Sequence, residues 1–228
     1  MTLEQNLKTV LGKIETAKNK SIWGQQVDLI AATKTRDISK IKDLYHLGVK
    51  TIGENRVQEA ENKFLPFLGF EKIKKRFIGH LQSNKINKCL KLFDSIDSID
   101  SLRLAKKLNN ALYKSSNKIE CLIEINTSGE PQKHGFQPQI TNDIISCFDL
   151  NQLNIVGLMT VGPNTRDETI RQSAFTLLRK LKDQINNELG FQVIIELSMG
   201  MTNDYELAIQ EGSTMVRVGT GLFGVRKY

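Results

Sequence analysis

Lys34 ends the apolar run Leu29-Ile-Ala-Ala-Thr33, and period-two alternation puts Ile30, Ala32 and Lys34 on one face. If that face lines a barrel interior, an amine stands at the mouth of a confined cavity beside small residues. Desolvation and neighbouring cations there lower an ammonium pKa and make the amine a nucleophile toward carbonyl carbon. A lysine that simply leaves the strand into solvent has the same signature. Two further stretches favour an anion: the polar turn Ser198-Met-Gly-Met-Thr-Asn-Asp204 and the glycine-rich turn Val218-Gly-Thr-Gly-Leu-Phe-Gly224. Glycines at 219, 221 and 224 allow close backbone approach, and free N–H groups at a helix start attract negative charge; the same glycines could merely close tight turns. Arg217 alternates with Val216 and Val218, so it projects inward if the valines pack on helices. A buried guanidinium is costly unless paired, and Glu124 or Glu196 could partner it; an ion pair and a ligand contact fit the spacing equally.

These residues need elements to position them, and the hydrophobic pattern supplies a repeat. Leu3, Leu7, Val10, Leu11, Ile14 and Ala17 predict a leading amphipathic helix over 3–19. Strands are expected at 27–33, 49–53, 76–79, 92–96, 118–126, 155–161, 192–198 and 214–218. Helices are expected at 38–47, 56–64, 167–189 and 204–210, with another opening at Ser98 or Asp100. Alternating strands and helices imply parallel pairing with right-handed crossovers. An open doubly wound sheet shows the same alternation, but eight strands favour a single α/β TIM (β/α)8 barrel over residues 1–228 with an extra N-terminal helix. The active end of such a barrel is where strands finish. That selects Lys34, 53–55, Gly79-His80, Asn126, Met159, Ser198, Met199, Gly200 and 217–221.

Composition narrows the classes. The 228 residues are 25% charged and 39% hydrophobic, which excludes disorder. No apolar run reaches the roughly 18 residues of a spanning helix, and the polar, acidic start Met1–Lys8 is not expected to act as a secretory signal. Three cysteines without a CxxC pair read as thiols in a reducing cytoplasm. The net charge is +7, with the densest cluster at Glu71–Arg76, read as a solvated helix face. Aromatic residues do not interleave with the basic ones, so no nucleic acid is expected. No HxxxH or Gly-x-Ser-x-Gly pattern supports a metal or serine hydrolase. His46 and His134 read as surface residues.

An amine, an anion cradle and an inward arginine are the parts of a pyridoxal 5′-phosphate (PLP) site, with arginine facing the pyridine nitrogen. At this point whole segments become recognisable. Ala32-Thr-Lys-Thr35, Gly53-Glu-Asn-Arg-Val-Gln-Glu59, Phe77-Ile-Gly-His-Leu-Gln-Ser-Asn-Lys85, Leu197-Ser-Met-Gly-Met201 and Gly212-Ser-Thr-Met-Val-Arg-Val-Gly-Thr220 resemble the PLP homeostasis protein family, of the YggS/PROSC type. The motifs run in order from residue 32 to 224. The resemblance implies the barrel of the alanine racemase N-terminal domain and a PLP Schiff base on Lys34. It implies phosphate contacts from Ser198, Gly219 and Thr220, with backbone help from Met199, Gly200 or Met201. It places Arg217 at the pyridine nitrogen and Asn55, His80 and Met159 near the ring. Departures are small: Ala-Ala-Thr precedes the lysine where Ala-Val-Ser is common, Gly221 stands where alanine is frequent, and Leu158–Pro163 differs slightly from the usual ending. Asn126–Gly135 reads as a mobile loop beside the pocket.

The expected role is binding rather than catalysis. Arginine at the pyridine nitrogen makes the ring a poorer electron sink. Related racemases add a tyrosine from a second β domain, and with Tyr228 ending the chain no such domain is expected. None of the four tyrosines reads as a strand-end acid or base. The reading is a cytoplasmic, monomeric protein that buffers PLP or delivers it to PLP-dependent apoenzymes. A low-activity racemase or transaminase, and a Schiff-base aldolase without vitamin B6, are the competing readings.

Overall fold

The computed structural model describes residues 2–64, 72–113 and 119–225. Eight parallel strands close a barrel in sequence order: β1 (Asp28–Ala32), β2 (Thr51–Glu54), β3 (Lys74–Phe77), β4 (Ser95–Ile99), β5 (Ile119–Glu124), β6 (Leu153–Met159), β7 (Glu196–Met201) and β8 (Met215–Val218), with β8 pairing back to β1. Around them run α1 (Leu3–Lys20), α2 (Ile38–His46), α3 (Val57–Phe64), α4 (Ile86–Leu92), α5 (Leu102–Tyr113), α6 (Thr141–Ser146), α7 (Glu168–Leu189), α8 (Tyr205–Gln210) and α9 (Thr220–Phe223). The (β/α)8 architecture and the extra leading helix are as the sequence predicts. Thr2 and Gln5 form a capping box on α1, which buries Leu7, Val10, Ile14 and Ala17. It packs on α8 and α9, and Asn6 Nδ2 donates to Leu222 O at 2.8 Å, so α1 braces the seam where β8 meets β1. No helix among the described residues is long and apolar enough to cross a membrane.

Strand alternation divides the core in two. Outward-facing residues such as Ala31, Ile52, Cys121, Ile123, Val216 and Val218 pack beneath the helices. Inward-facing Ile30, Leu122, Met159 and Met215, from four different strands, form a small apolar cluster inside the barrel. Toward β3–β5 the filling is ionic. Arg76 Nε donates to Asp97 Oδ2 at 2.7 Å and Nη1 to Glu120 Oε1 at 2.8 Å, while Lys74 takes the other Glu120 oxygen at 2.7 Å. Burial opposes the charge on Arg76, but Asp97 and Glu120 raise its pKa above the usual value.

Several expected boundaries need correction, each for a physical reason. The basic cluster is not a helix face: Lys74–Arg76 belong to β3 and Arg76 is buried among carboxylates from β4 and β5; Glu71 lies outside the described residues, as do Lys118, expected to open the fifth strand, and Tyr228. The fourth strand begins at Ser95, because Ile86–Leu92 form a helix that the sequence reading lacked. Ser98 is therefore a buried strand residue whose Oγ donates to Gly79 O at 2.6 Å, and Ser101 Oγ receives the Leu104 N–H at the start of α5. The seventh strand begins at Glu196 rather than 192. The buried Asn186 side chain accepts the N–H groups of Val193 and Ile194 and donates to Ile194 O, holding this apolar stretch as a loop.

Candidate functional site

The turn after β1 is fixed from behind by a buried ionic network. Thr33 N–H donates to Gly53 O at 2.9 Å, and Thr33 Oγ1 donates to Glu54 Oε1 at 2.6 Å. Lys63, from α3, donates to Thr33 O at 2.8 Å and to Glu54 Oε1 and Glu59 Oε1, each at 2.7 Å. Glu59 in turn accepts the Thr35 N–H. Thr35 has a φ of +60°, an uncommon conformation for a β-branched residue. Burial raises the Glu54 pKa despite hydrogen bonds from Lys63 and Thr33. Between these clamped neighbours Lys34 is exposed, and its amine has no hydrogen bond or ion pair among the described residues.

That amine borders a cavity of about 450 Å³ at the C-terminal end of the barrel. Its wall includes Ala32, Lys34, Asn55, Met201, Arg217, Gly219 and Thr220. The walls carry five cationic side chains, Lys34, Arg36, Lys133, Arg171 and Arg217, and one carboxylate, Asp204. Four of the cations are tied to carbonyls: Arg36 to Gly224, Lys133 to Gly162, Arg171 to Thr165 and Asn203, and Arg217 to Ser198 and Thr160. Lys34 is the exception. A larger hollow of about 1200 Å³ lies on the flank between α4 and α5 and contains none of the strand-end residues.

Arg217 points inward, as its alternation predicts. Its Nη1 donates to Ser198 O at 2.8 Å and Ser198 Oγ at 2.6 Å, and Nη2 to Thr160 O at 2.6 Å. Neither Glu124 nor Glu196 forms an ion pair with it. Glu196 accepts the Thr214 hydroxyl, and Glu124 acts on Arg217 only through its field. Burial pulls the Arg217 pKa below its usual value, against the attraction of Asp97, Glu124 and Asp204.

Two features make the cavity suitable for a phosphorylated ring. Asn55 Oδ1 is buried, lines the cavity and receives no hydrogen bond, an orphaned acceptor awaiting a donor. Gly79 packs so closely that an added Cβ would collide with the Asn55 carbonyl, which keeps Asn55 in place. On the opposite side the backbone N–H groups of Gly219 and Thr220 open α9 and donate to no acceptor among the described residues, whereas those of Leu222 and Phe223 turn back to Gly219 O. Orphaned donors, surplus positive charge and an unpaired amine match the needs of an aldehyde that carries a phosphate.

The remaining residues named from the sequence sit elsewhere around this wall. Met159 belongs to the apolar cluster inside the barrel. Ser198 is buried beneath Arg217, and Met199 packs outward in the main core. Gly200, with a φ of +92°, lets β7 meet α8. His80 is not part of the cavity wall; it stacks on His134 beside Asp100. Lys133 lies in the 126–135 loop that the sequence places beside the pocket, though without a site role, and Arg171 was not among the residues expected there. Lys133 follows the Asn126–Glu130 loop, which is held by Asn126 Oδ1 and Nδ2, and basic residues in loops carry no periodic signal.

Comparison with known proteins agrees with this geometry. The family model for the alanine racemase N-terminal domain matches residues 6–227. The chain is 37% identical to the pyridoxal phosphate homeostasis protein of Pasteurella multocida, over 100% of this chain and 99% of that protein. It is 34% identical to the protein of the same name in Aquifex aeolicus, over 98% of each. Among solved structures, PipY of Synechococcus elongatus with PLP bound superposes with a TM-score of 0.84 at 29% identity, covering 98% of this chain and all of PipY. The chain therefore belongs to the pyridoxal phosphate homeostasis protein family, built on the alanine racemase N-terminal barrel.

Proposed function

We propose that this protein binds PLP through Lys34 and holds it for release, as a reservoir rather than a catalyst. The observation that carries the reading is the unpaired Lys34 amine on a cavity whose other cations are already tied to carbonyls. The amine would attack the PLP aldehyde carbon and form a Schiff base with loss of one water, reversibly. Gly219 and Thr220, with Met201 at the adjoining wall, would receive the phosphate, and Ser198 would support the group by anchoring Arg217. Arg217 would face the ring nitrogen, and the orphaned Asn55 acceptor would take a ligand donor. Bound PLP supplies an electrophilic aldehyde and an electron-withdrawing ring. A cation at the ring nitrogen disfavours its protonation and weakens that withdrawal.

Besides Lys34, the wall groups able to move a proton are Lys133, which donates to Gly162 O, and Asp204, whose Oδ1 accepts the Met201 N–H. The curated relatives are named for homeostasis rather than for a reaction. The three buried, unpaired thiols Cys89, Cys121 and Cys147 fit a reducing cytoplasm. The test is the visible spectrum of the purified protein. An imine band that borohydride bleaches and that Lys34→Ala abolishes is expected, together with transfer of PLP to an apoenzyme and no change in the chirality of a panel of amino acids. An imine band that persists in Lys34→Ala would overturn the attachment; racemisation would overturn the reservoir role.

A further inference from the structure

The Lys34 cavity reaches Ile78 just beyond β3 and Lys133 in the loop after β5, but none of His80, Asp100 and His134 lines it. His80 follows β3, Asp100 follows β4, and His134 lies in the loop after β5. The two imidazole rings stack with centroids 3.8 Å apart and 11° between their planes. Nδ1 of His80 stands 3.0 Å, and Nδ1 of His134 4.0 Å, from the same Asp100 oxygen, Oδ2. We propose that His80, Asp100 and His134 form a binding site for one divalent transition-metal ion, separate from the PLP site.

Two imidazole nitrogens and one carboxylate oxygen are the donors of zinc, nickel and copper sites; magnesium and calcium prefer all-oxygen shells. One donor atom from each residue lies within 4.8 Å of the others. Metal–ligand bonds of about 2.0–2.2 Å require the wider donor separations to close by about an ångström, the His80–Asp100 pair to open slightly and the rings to tilt toward a common centre. Both imidazoles have room for that tilt, with side chains 43% and 53% exposed, whereas Asp100 is 13% exposed. A simple His80–Asp100 hydrogen bond accounts for the shorter contact but leaves His134 converging on the same oxygen unexplained.

The backbone beneath each ligand is held. Gly79, before His80, accepts the Ser98 hydroxyl at 2.6 Å. Asp100 Oδ1 accepts the Ser101 hydroxyl at 2.9 Å, which orients the carboxylate and leaves Oδ2 for an ion. Two residues beyond His134, the Phe136 N–H donates to Glu124 O at 2.8 Å and Phe136 O accepts the Asn126 N–H at 2.9 Å. Three protein ligands at an open barrel mouth leave the remaining coordination positions to water.

The test is calorimetric titration of the chelator-treated full-length chain with zinc, repeated with cobalt as a spectroscopic probe. One equivalent should bind, and cobalt should give visible ligand-field bands. Since even losing an outer-shell partner typically costs 10–100-fold in metal affinity, His134→Ala and Asp100→Asn should each weaken binding at least tenfold. His46→Ala, which removes the remaining histidine, should bind as the unaltered chain does. His134 is exposed, so its variant carries the test even if Asp100→Asn fails to fold. Lys34→Ala should keep the zinc site intact, which separates this inference from the PLP reading. Failure to bind one equivalent, or equal affinity in His134→Ala, overturns it.

Discussion

Lys63 Nζ lies 2.7 Å from Glu54 Oε1, and both residues are buried directly behind the turn that presents Lys34. The same ammonium holds Thr33 O at 2.8 Å, so one cation ties α3 to the residue before Lys34. Lys63→Met leaves Glu54 buried without its counter-charge and should cost about 3–5 kcal/mol. Changing Glu54 to Gln as well removes the stranded charge and should recover most of that loss. Urea unfolding of the single and double variants reads the difference; a wild-type midpoint in Lys63→Met would show that the pair supports nothing. Under the proposed attachment of PLP to Lys34, the single variant should also lose imine absorbance, because its Thr33–Thr35 turn is no longer clamped.

Gly200 is required by shape. At its φ of +92° an added Cβ would stand 2.6 Å from Ala208 Cβ and 2.8 Å from Tyr205 Cα. Gly200→Ala therefore combines left-handed strain with overpacking and should destabilise the chain by roughly 2–4 kcal/mol. Gly12, exposed in α1 with nothing within 4 Å of a built Cβ, is the contrast. Gly12→Ala should stabilise by up to about 1 kcal/mol through helix propensity. Thermal unfolding of the two variants checks the opposite signs.

The parts of this fold legible in the sequence are those governed by period. Ile30, Ala32 and Lys34 alternate with Ala31 and Thr33, and the structure keeps Lys34 on the interior side, at the cavity. Arg217 likewise projects inward between Val216 and Val218. Polar interiors were not legible. β4 buries Ser95 and Asp97 against Arg76, so its inner face lacks the apolar signature of a strand and the expected span slid toward Leu92. The Val193–Ile195 run has that signature but is held as a loop by Asn186, seven residues upstream of Val193. Short helices such as α6, six residues long, offer too few turns to show a period. At the site, the sequence marks the amine, the glycine turns and the 126–135 loop beside the pocket, but that Arg171 in the first turn of α7 and Lys133 in that loop meet on one wall depends on tertiary packing that no local pattern encodes.

Arg217 joins three strands, because from β8 it donates to Ser198 on β7 and to the Thr160 carbonyl just beyond β6. Arg217→Met leaves Ser198 Oγ and the Thr160 carbonyl without this donor, while Ser198 O keeps the Thr160 N–H at 3.1 Å. Charged hydrogen bonds contribute about 1.5–3 kcal/mol each, so stability should fall by at least that much. Under the proposed binding mode PLP retention should also fall by on the order of tenfold or more, the same free energy expressed as affinity. Arg217→Lys keeps the charge but not the fork, and should restore retention only in part. Equilibrium dialysis of PLP against the three proteins decides; unaltered retention in Arg217→Met would remove the arginine from the binding site.

Glu124 gives the fold a pH dependence with a definite sign. Burial pushes its carboxyl up to about 7 from an ordinary 4.5; Asp100 adds to the shift and Arg217 opposes it. A carboxyl with a raised folded-state pKa holds its proton more tightly in the folded chain than in the unfolded one. Its contribution to stability is therefore complete below about pH 4.5 and is lost as pH rises through 7. A shift of about 2.5 pH units corresponds to on the order of 3 kcal/mol. Glu124→Gln is neutral at every pH and escapes that loss. Its stability relative to the unaltered protein should be nearly constant below pH 4.5, then rise between pH 5 and 8 by on the order of 3 kcal/mol. Urea unfolding of both proteins at each pH measures the gap directly, and a gap that stays flat across that range would show that Glu124 ionises in the folded chain as it does in water.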